Sequence, residues 1–307
     1  MKKIKLSYVL TTFNKYSFIK EVLPELVQNK KNDEEIIVID GGSNDGTFEY
    51  LRGQYNLGNI DYFLSEKDKG EAHGFNKGFL LTNGDLIKVI TDDDAFNYPV
   101  IQKCKDFMLL HPEIDVLGGN TGTISIENKN SLFLAQDFED DFFKWREGKL
   151  KNFFFNGTCL MIRRSSLALT GLFNTAGMLT DMEYTLKATS LANLAWCSGI
   201  ISVRILHPKS NNLIYKKRAD EDSDRLCSYY NYKYPWERRK EELRKKSLLK
   251  IIRSFASKNR NILFNKDKIP SLIEPFSSFK EASLFCNNWM KGHILNQKIT
   301  FFIMVNN

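Results

Sequence analysis

Four short apolar runs, each ending in polar residues and separated by stretches with helical spacing, constrain the amino-terminal part of this chain more than any other feature. They are Leu6–Leu10, Glu35–Asp40, Ile60–Ser65 and Ile87–Ile90. Short apolar runs bounded by turn formers read as buried strands, and strands alternating with helices imply a parallel, doubly wound sheet. Between the first two runs, Phe18, Ile19, Val22, Leu23, Leu26 and Val27 form one helical face. Pro24 interrupts that face and is expected to kink or shorten the helix. In such sheets, ligands bind outside the carboxyl ends of the strands. Here those ends carry Thr11-Thr12-Phe13-Asn14, Asp40, and Thr91-Asp92-Asp93-Asp94. Three adjacent carboxylates repel one another unless positive charge lies among them. A solvated acidic turn and a site for a hard divalent cation are the two readings.

The second part of the chain is less regular. Pro99–Leu110 reads as a helix, Val116–Ile126 as a strand pair and Asp137–Lys149 as an acidic, aromatic helix containing Trp145, a core residue. Phe153–Arg163 reads as a buried strand or hairpin, Asp181–Leu194 as a helix and Ile200–Leu206 as a strand ending at His207-Pro208. The expected organisation is an α/β domain over residues 1–210, with a nucleotide-binding half (1–95) and an acceptor-binding half (96–210). A basic, mainly helical extension would occupy 211–307.

Composition narrows the class. The chain has 307 residues, 42% hydrophobic and 26% charged, which suits one large globular unit. Five scattered cysteines without a Cys-x-x-Cys pair argue against a disulfide framework or zinc knuckle and fit a reducing cytosol. No apolar run approaches the roughly 20 residues that span a bilayer. The net charge of +7 is uneven: residues 209–268 hold 18 Lys or Arg against 8 Asp or Glu. The basic, partly apolar 236–264 stretch suits a peripheral contact with anionic lipid, or a solvated helix or subunit contact in a homo-oligomer. It lacks the interleaved aromatic and basic residues of a nucleic-acid stacking surface, so no nucleic acid is expected. No Gly-x-Gly-x-x-Gly fingerprint or Gly-Lys-Ser/Thr loop is present, which excludes a dinucleotide oxidoreductase or P-loop enzyme.

From Ile4 to Asn212 the chain resembles the family 2, GT-A-fold inverting glycosyltransferases of bacterial surface-polysaccharide synthesis. The resemblance rests on Thr11-Thr12-Phe13-Asn14, Asp40-Gly41-Gly42-Ser43-Asn44-Asp45-Gly46-Thr47, and Asp68-Lys69-Gly70 through Asn76-Lys77-Gly78. It continues in Thr91-Asp92-Asp93-Asp94, Asp181-Met182-Glu183 and His207-Pro208-Lys209-Ser210. It implies a nucleoside-diphosphate sugar donor, with a UDP-sugar expected, and a glycan or lipid-linked glycan acceptor at the inner face of the cell membrane. Thr12 and Phe13 would pack against the base, and Asp40 would accept a hydrogen bond from base or ribose. Lys69 and Gly70 would line the phosphates, and Asn76 would touch ribose or donor sugar. Asp94 would coordinate Mg2+ or Mn2+, supported by Asp92 and with His207 as a third ligand or a phosphate contact. Asp93 is the member of the triplet least expected to meet substrate. Asp181, at a helix start that favours an anion, is the expected base, with Glu183 as the alternative. Plain turn, cap and packing roles stand beside each assignment. The competing functions are a sugar-phosphate nucleotidyltransferase, which lacks its Gly-rich basic loop here, and a non-catalytic glycan- or nucleic-acid-binding module.

Overall fold

A computed structural model describes residues 3–244, 274–296 and 298–305. Ten strands form one sheet: β1 (Leu6–Thr12), β2 (Glu34–Asp40), β3 (Tyr62–Ser65), β4 (Leu86–Ile90), β5 (Asp94–Phe96), β6 (Val116–Ser125), β7 (Asn128–Leu134), β8 (Met161–Arg163), β9 (Leu194–Leu206) and β10 (Phe301–Met304). Its main order is β10-β9-β6-β8-β4-β1-β2-β3, with β5 on β9 and β7 on β6. Among the described residues, six of these eight strands run one way, and β8 and β10 run against them.

Side-chain alternation explains why the sheet is covered on both faces. Tyr8 and Leu10 enter one core and Val9 the other, and Ile36 and Val38 are likewise divided from Ile37 and Ile39. Both faces are thus apolar, so helices must cover both. One face receives α1 (Tyr16–Asn29), through Ile19 and Leu23, and the last helix, Phe279–Asn296, through Ala282, Cys286 and Met290. With α2 (Thr47–Asn56) following β2, the opposite face receives α3 (Glu71–Leu81) through Phe75 and Phe79. After α4 (Tyr98–Leu110), which packs on the first face, come α5 (Gln136–Arg146), α6 (Leu167–Thr170) and α7 (Thr180–Leu191). Phe142 and Trp145 of α5 and Tyr184 of α7 join Phe153, Phe155 and Trp196 in an aromatic core.

Several elements differ from the sequence expectation. Helix α1 runs past Pro24 to Asn29, with Pro24 on the exposed side. Residues 116–126 are not a strand pair: β6 is one strand, and its hairpin partner is β7. The 153–163 stretch is not a hairpin. Only β8 is a strand there, and Gly157–Cys159 is a 3-10 turn shaped by Asn156, whose Oδ1 accepts from the Thr158 N–H at 2.9 Å.

Beyond residue 210, α8 (Asn211–Ile214) and α9 (Lys216–Tyr230) precede a helical stretch at 235–244. Leu226 and Tyr232 pack on Met182 and Leu186 of α7. Arg238 and Arg239 pair with Asp141 and Asp137 of α5. β10 extends the sheet antiparallel to β9, with Phe301 opposite Cys197. Of the basic segment 236–264, residues 245–264 lie outside the described residues. No helix among the described residues is long and apolar enough to cross a membrane.

Candidate active site

The register aligns Thr12 with Asp40 and Asp40 with Ser65, so the exits of β1, β2 and β3 fall together. Beside them opens a cavity of about 560 Å3. Thr11, Thr12 and Asp92–Asp94 form its floor. Gly41, Gly42, Asp68, Gly70, Glu71, Asn156–Thr158 and Met178–Asp181 also line it. Arg204, Ser210, Asn211 and Tyr215 add to the lining.

The acidic triplet is divided by its partners. Asp93 accepts from Lys15 Nζ at 2.7 Å and lies 3.0 Å from His207 Nε2. His207 Nδ1 accepts from the Lys209 N–H, so Nε2–H is the donor to Asp93. Burial raises the pKa of Asp93, but the His207 hydrogen bond and the Lys15 charge outweigh it and hold the group below its ordinary value. Asp94 Oδ2 accepts from Thr91 Oγ1 at 2.6 Å and its Oδ1 from the Ile205 N–H at 3.0 Å. Burial and the Asp93 charge still push Asp94 up to about 6. The same two causes raise Asp92 well above its ordinary value, against the pull of Lys15. Asp92 and Asp94 are therefore oxygen donors whose charge the nearby Lys15 and Arg204 do not offset, which fits a hard dication. No group of three His, Cys, Asp or Glu among the described residues is arranged to hold a metal unaided. A cation here would need further oxygens from a ligand.

Asp181, which also lines the pocket, stands in the first turn of α7. Its Oδ2 accepts from the Gly157 N–H at 3.0 Å and its Oδ1 from the Met182 N–H at 2.8 Å. A Cβ on Gly157 would lie 2.8 Å from Asp181 Cβ, so only glycine permits this approach. Glu183 is turned elsewhere: Asn174 Nδ2 donates to it at 3.0 Å and Arg225 Nη2 at 3.0 Å, outside the cavity.

Other expected contacts are relocated. Asp40 is fully buried. Its oxygens accept from the Ser43 N–H and Oγ–H and from Ser65 Oγ–H, which shapes the turn after β2 and leaves Gly41 and Gly42 facing the cavity. Asn76 clamps the Phe173 backbone, donating to its carbonyl at 2.8 Å and accepting from its N–H at 2.9 Å, and does not line the cavity. Its amide is fully used in joining α3 to the segment before α7. His207 is also not a cavity residue: it is buried, stacked on Phe18 at 4.2 Å, with both ring nitrogens engaged. Lys69 is exposed beyond the rim, and its N–H donates to His73 Nδ1. Thr12, Phe13 and Gly70 do line the cavity, with Phe13 56% exposed at its edge.

Sequence reasoning missed Lys15, Lys67, Glu71, Arg204 and Tyr215, all of which line the cavity. Glu71 accepts a long hydrogen bond from Asn211. Although the residue is open to solvent, the packed walls around its carboxyl and the charges of Asp93 and Asp181 push it up to about 7. Arg204 lies opposite Asp94 in the β5–β9 ladder, and its charge lowers the Asp94 pKa. No local motif marks these residues; the fold brings them in from separate elements.

A sheet of this order, with a polar pocket at its carboxyl edge lined by carboxylates from separate elements, is the architecture of a GT-A glycosyltransferase. The chain belongs to glycosyl transferase family 2, whose profile matches residues 7–169. It is 32% identical over 104 residues to an uncharacterized glycosyltransferase, MG060, of Mycoplasma genitalium, covering 32% of this chain and 35% of that protein. It is 25% identical over 226 residues to the poly-beta-1,6-N-acetyl-D-glucosamine synthase of Staphylococcus epidermidis, covering 70% and 48%. The chain thus spans between a third and a half of the length of these curated relatives. Among solved structures, the mannosyltransferase PcManGT of Pyrobaculum calidifontis, in complex with GDP-Man and Mn2+, matches with a TM-score of 0.55 at 15% identity. That match covers 75% of this chain and 66% of that one. S. aureus TarS 1-349 in complex with UDP-GlcNAc matches with a TM-score of 0.54 at 15% identity, over 69% and 61%. Both likenesses are of fold.

Proposed function

We propose that this chain is an inverting glycosyltransferase that moves a sugar from a nucleoside-diphosphate donor to a hydroxyl of a glycan or lipid-linked glycan by direct displacement. The observation that carries this reading is that one cavity is lined both by the Asp92/Asp94 pair and by an Asp181 carboxylate fixed by two backbone N–H groups. Thr12 and Phe13 would receive the base and Gly41, Gly42 and Gly70 the ribose and phosphates, where the absence of side chains lets backbone approach closely. Asp92 and Asp94 would hold Mg2+ or Mn2+ together with diphosphate oxygens. When bound, that cation supplies positive charge against the leaving diphosphate. Arg204 adds a second, permanent positive charge on the same side. Asp181 accepts the proton of the acceptor hydroxyl as it attacks, and its two N–H partners keep the carboxylate oriented for this.

The nucleotide sugars bound in the two similar structures, UDP-GlcNAc and GDP-Man, are the first donors to try. Thermal unfolding with each, with and without Mn2+, tests the reading, since a ligand raises apparent stability by its affinity for the folded state. A shift that needs both sugar nucleotide and Mn2+ supports it, and no shift with a full panel of nucleotide sugars would sink it. Inversion is read from the anomeric configuration of the product by NMR.

A lipid-linked acceptor, and with it a place at the cytoplasmic membrane face, is supported at the cavity mouth. Beside Tyr215, which lines the cavity, Leu213 and Ile214 are, like it, more than half exposed, and exposed Lys216, Lys217 and Arg218 follow. Apolar residues beside cations suit an anionic interface. Flotation with phosphatidylglycerol vesicles, compared with phosphatidylcholine alone, tests this; equal recovery in both would end the membrane assignment.

A further inference from the structure

We propose that Lys88 is a positioning residue for Asp181: its buried ammonium clamps the Gly157–Cys159 turn, whose Gly157 N–H holds the Asp181 carboxylate at the cavity wall. The inference rests on the reading of Asp181 as the base.

Lys88 lies in the middle of β4 and is 0% exposed. An ammonium taken out of water is costly unless its donors are satisfied, and ordinarily a carboxylate accompanies it. Lys88 has no carboxylate partner among the described residues. Its Nζ donates to the carbonyls of Thr158 at 2.6 Å, Val89 at 3.0 Å and Leu160 at 3.3 Å. Three N–H donors thus meet three carbonyl acceptors, a match only the charged form can make. The Thr158 carbonyl belongs to the 3-10 turn, and the Leu160 carbonyl just after it also accepts from the Val89 N–H of β4 at 3.5 Å.

The turn is coupled to the site in two ways. Gly157 donates to Asp181 Oδ2 at 3.0 Å, and its Cα is packed so closely that no Cβ would fit beside Asp181. A shift of the turn is therefore passed to the carboxylate. Lys88 Nζ also sits 5.4 Å from the Phe96 ring centroid, in the short strand that begins at Asp94. A single buried cation thus backs segments from both sides of the cavity.

The groups facing Lys88 set how the clamp responds to pH. Burial is the main influence and lowers Lys88 to about 8; the Cys159 and Cys104 thiols are the titratable groups that oppose it. Both thiols are themselves raised by burial and stay neutral across the working range. Above about pH 8 the amine keeps two donors and turns a lone pair toward a carbonyl, so the clamp loosens.

The test is steady-state turnover of UDP-GlcNAc with Mn2+, measured from pH 6.5 to 9.5 for the full chain and for Lys88→Met, Asp181→Asn and the double variant. The expected outcome for Lys88→Met is a kcat lower by roughly 10–100-fold with donor KM little changed, the scale of a misplaced catalytic group. Wild-type kcat should fall above about pH 8, and Lys88→Met should lack that limb. The double variant should be no slower than Asp181→Asn. Lys88→Met at wild-type kcat beside an inactive Asp181→Asn would overturn the clamp alone. Wild-type turnover in Asp181→Asn would overturn the base assignment itself. If Lys88→Met does not fold, Lys88→Gln carries the test. Lys88→Gln at wild-type kcat beside an inactive Asp181→Asn would then overturn the proposal.

Discussion

Asp94 is an anion in surroundings that disfavour one. Burial and the neighbouring Asp93 raise its folded pKa to about 6 from 3.8. The folded state therefore binds more protons than the unfolded chain between those values, so stability falls as pH rises through that window. Without metal at pH 7 the group is a net cost of about 1–3 kcal/mol, at roughly 1.4 kcal/mol for each pKa unit. Asp94→Asn should accordingly raise the metal-free unfolding midpoint at pH 7 while abolishing the extra stabilisation by Mn2+ with nucleotide sugar; calorimetry with and without both checks each half. Asp181→Asn should leave donor binding near normal and reduce turnover by about 10²–10⁴-fold; a wild-type rate would refute the assignment. At this scale the sequence was a partial guide. The acidic triplet was visible because an apolar run ends abruptly at Thr91. That Asp93 would be paired with Lys15 and His207, while Asp92 and Asp94 are not, was hidden, because those partners lie 78 and 114 residues away in sequence. Asp40, Asn76 and His207 carried plausible polar groups at plausible places, yet motif order says nothing of which way a side chain points. Serines claim Asp40, the Phe173 backbone claims Asn76, and Asp93 with the Lys209 N–H claims His207.

Among the elements, α3 depends on close approach to the sheet. A Cβ at Gly78 would stand 2.3 Å from Val9 Cγ1. Gly78→Ala improves intrinsic helix propensity but forces α3 off β1, and overpacking of this kind typically costs about 1–3 kcal/mol. Urea unfolding should show that loss; a variant as stable as the parent would mean that helix and strand separate freely. The first four strands were legible because each is a short apolar run whose alternate residues feed two cores. β9 was read only from Ile200, although it begins at Leu194, because Ser198 and Gly199 break the apolar pattern where the β6–β9 register also shifts. The 153–163 stretch misled for a different reason. Its Phe153 and Phe155 are as buried as any strand residue, but they pack edge-on against Trp196 from a loop rather than from the sheet.

Across the whole molecule, the carboxyl-terminal part is welded to the α/β core. Phe301 stacks on Phe107 at 4.2 Å, Phe302 meets Phe143 edge-on at 4.9 Å, and Met290 of the last helix lies in the main core. Ending the chain at residue 300 removes four half-buried apolar side chains. At about 1 kcal/mol each it should cost about 3–5 kcal/mol in urea unfolding. The pairing of β10 with β9 also imposes an order on assembly. During synthesis β9 emerges about a hundred residues before the strand that covers its outer edge. For several seconds at ribosomal rates, the nascent sheet therefore presents an open row of peptide N–H and C=O groups beside Trp196 and Cys197. A chaperone that shields sheet edges would find its substrate in that interval, and would lose it when residues 301–304 arrive.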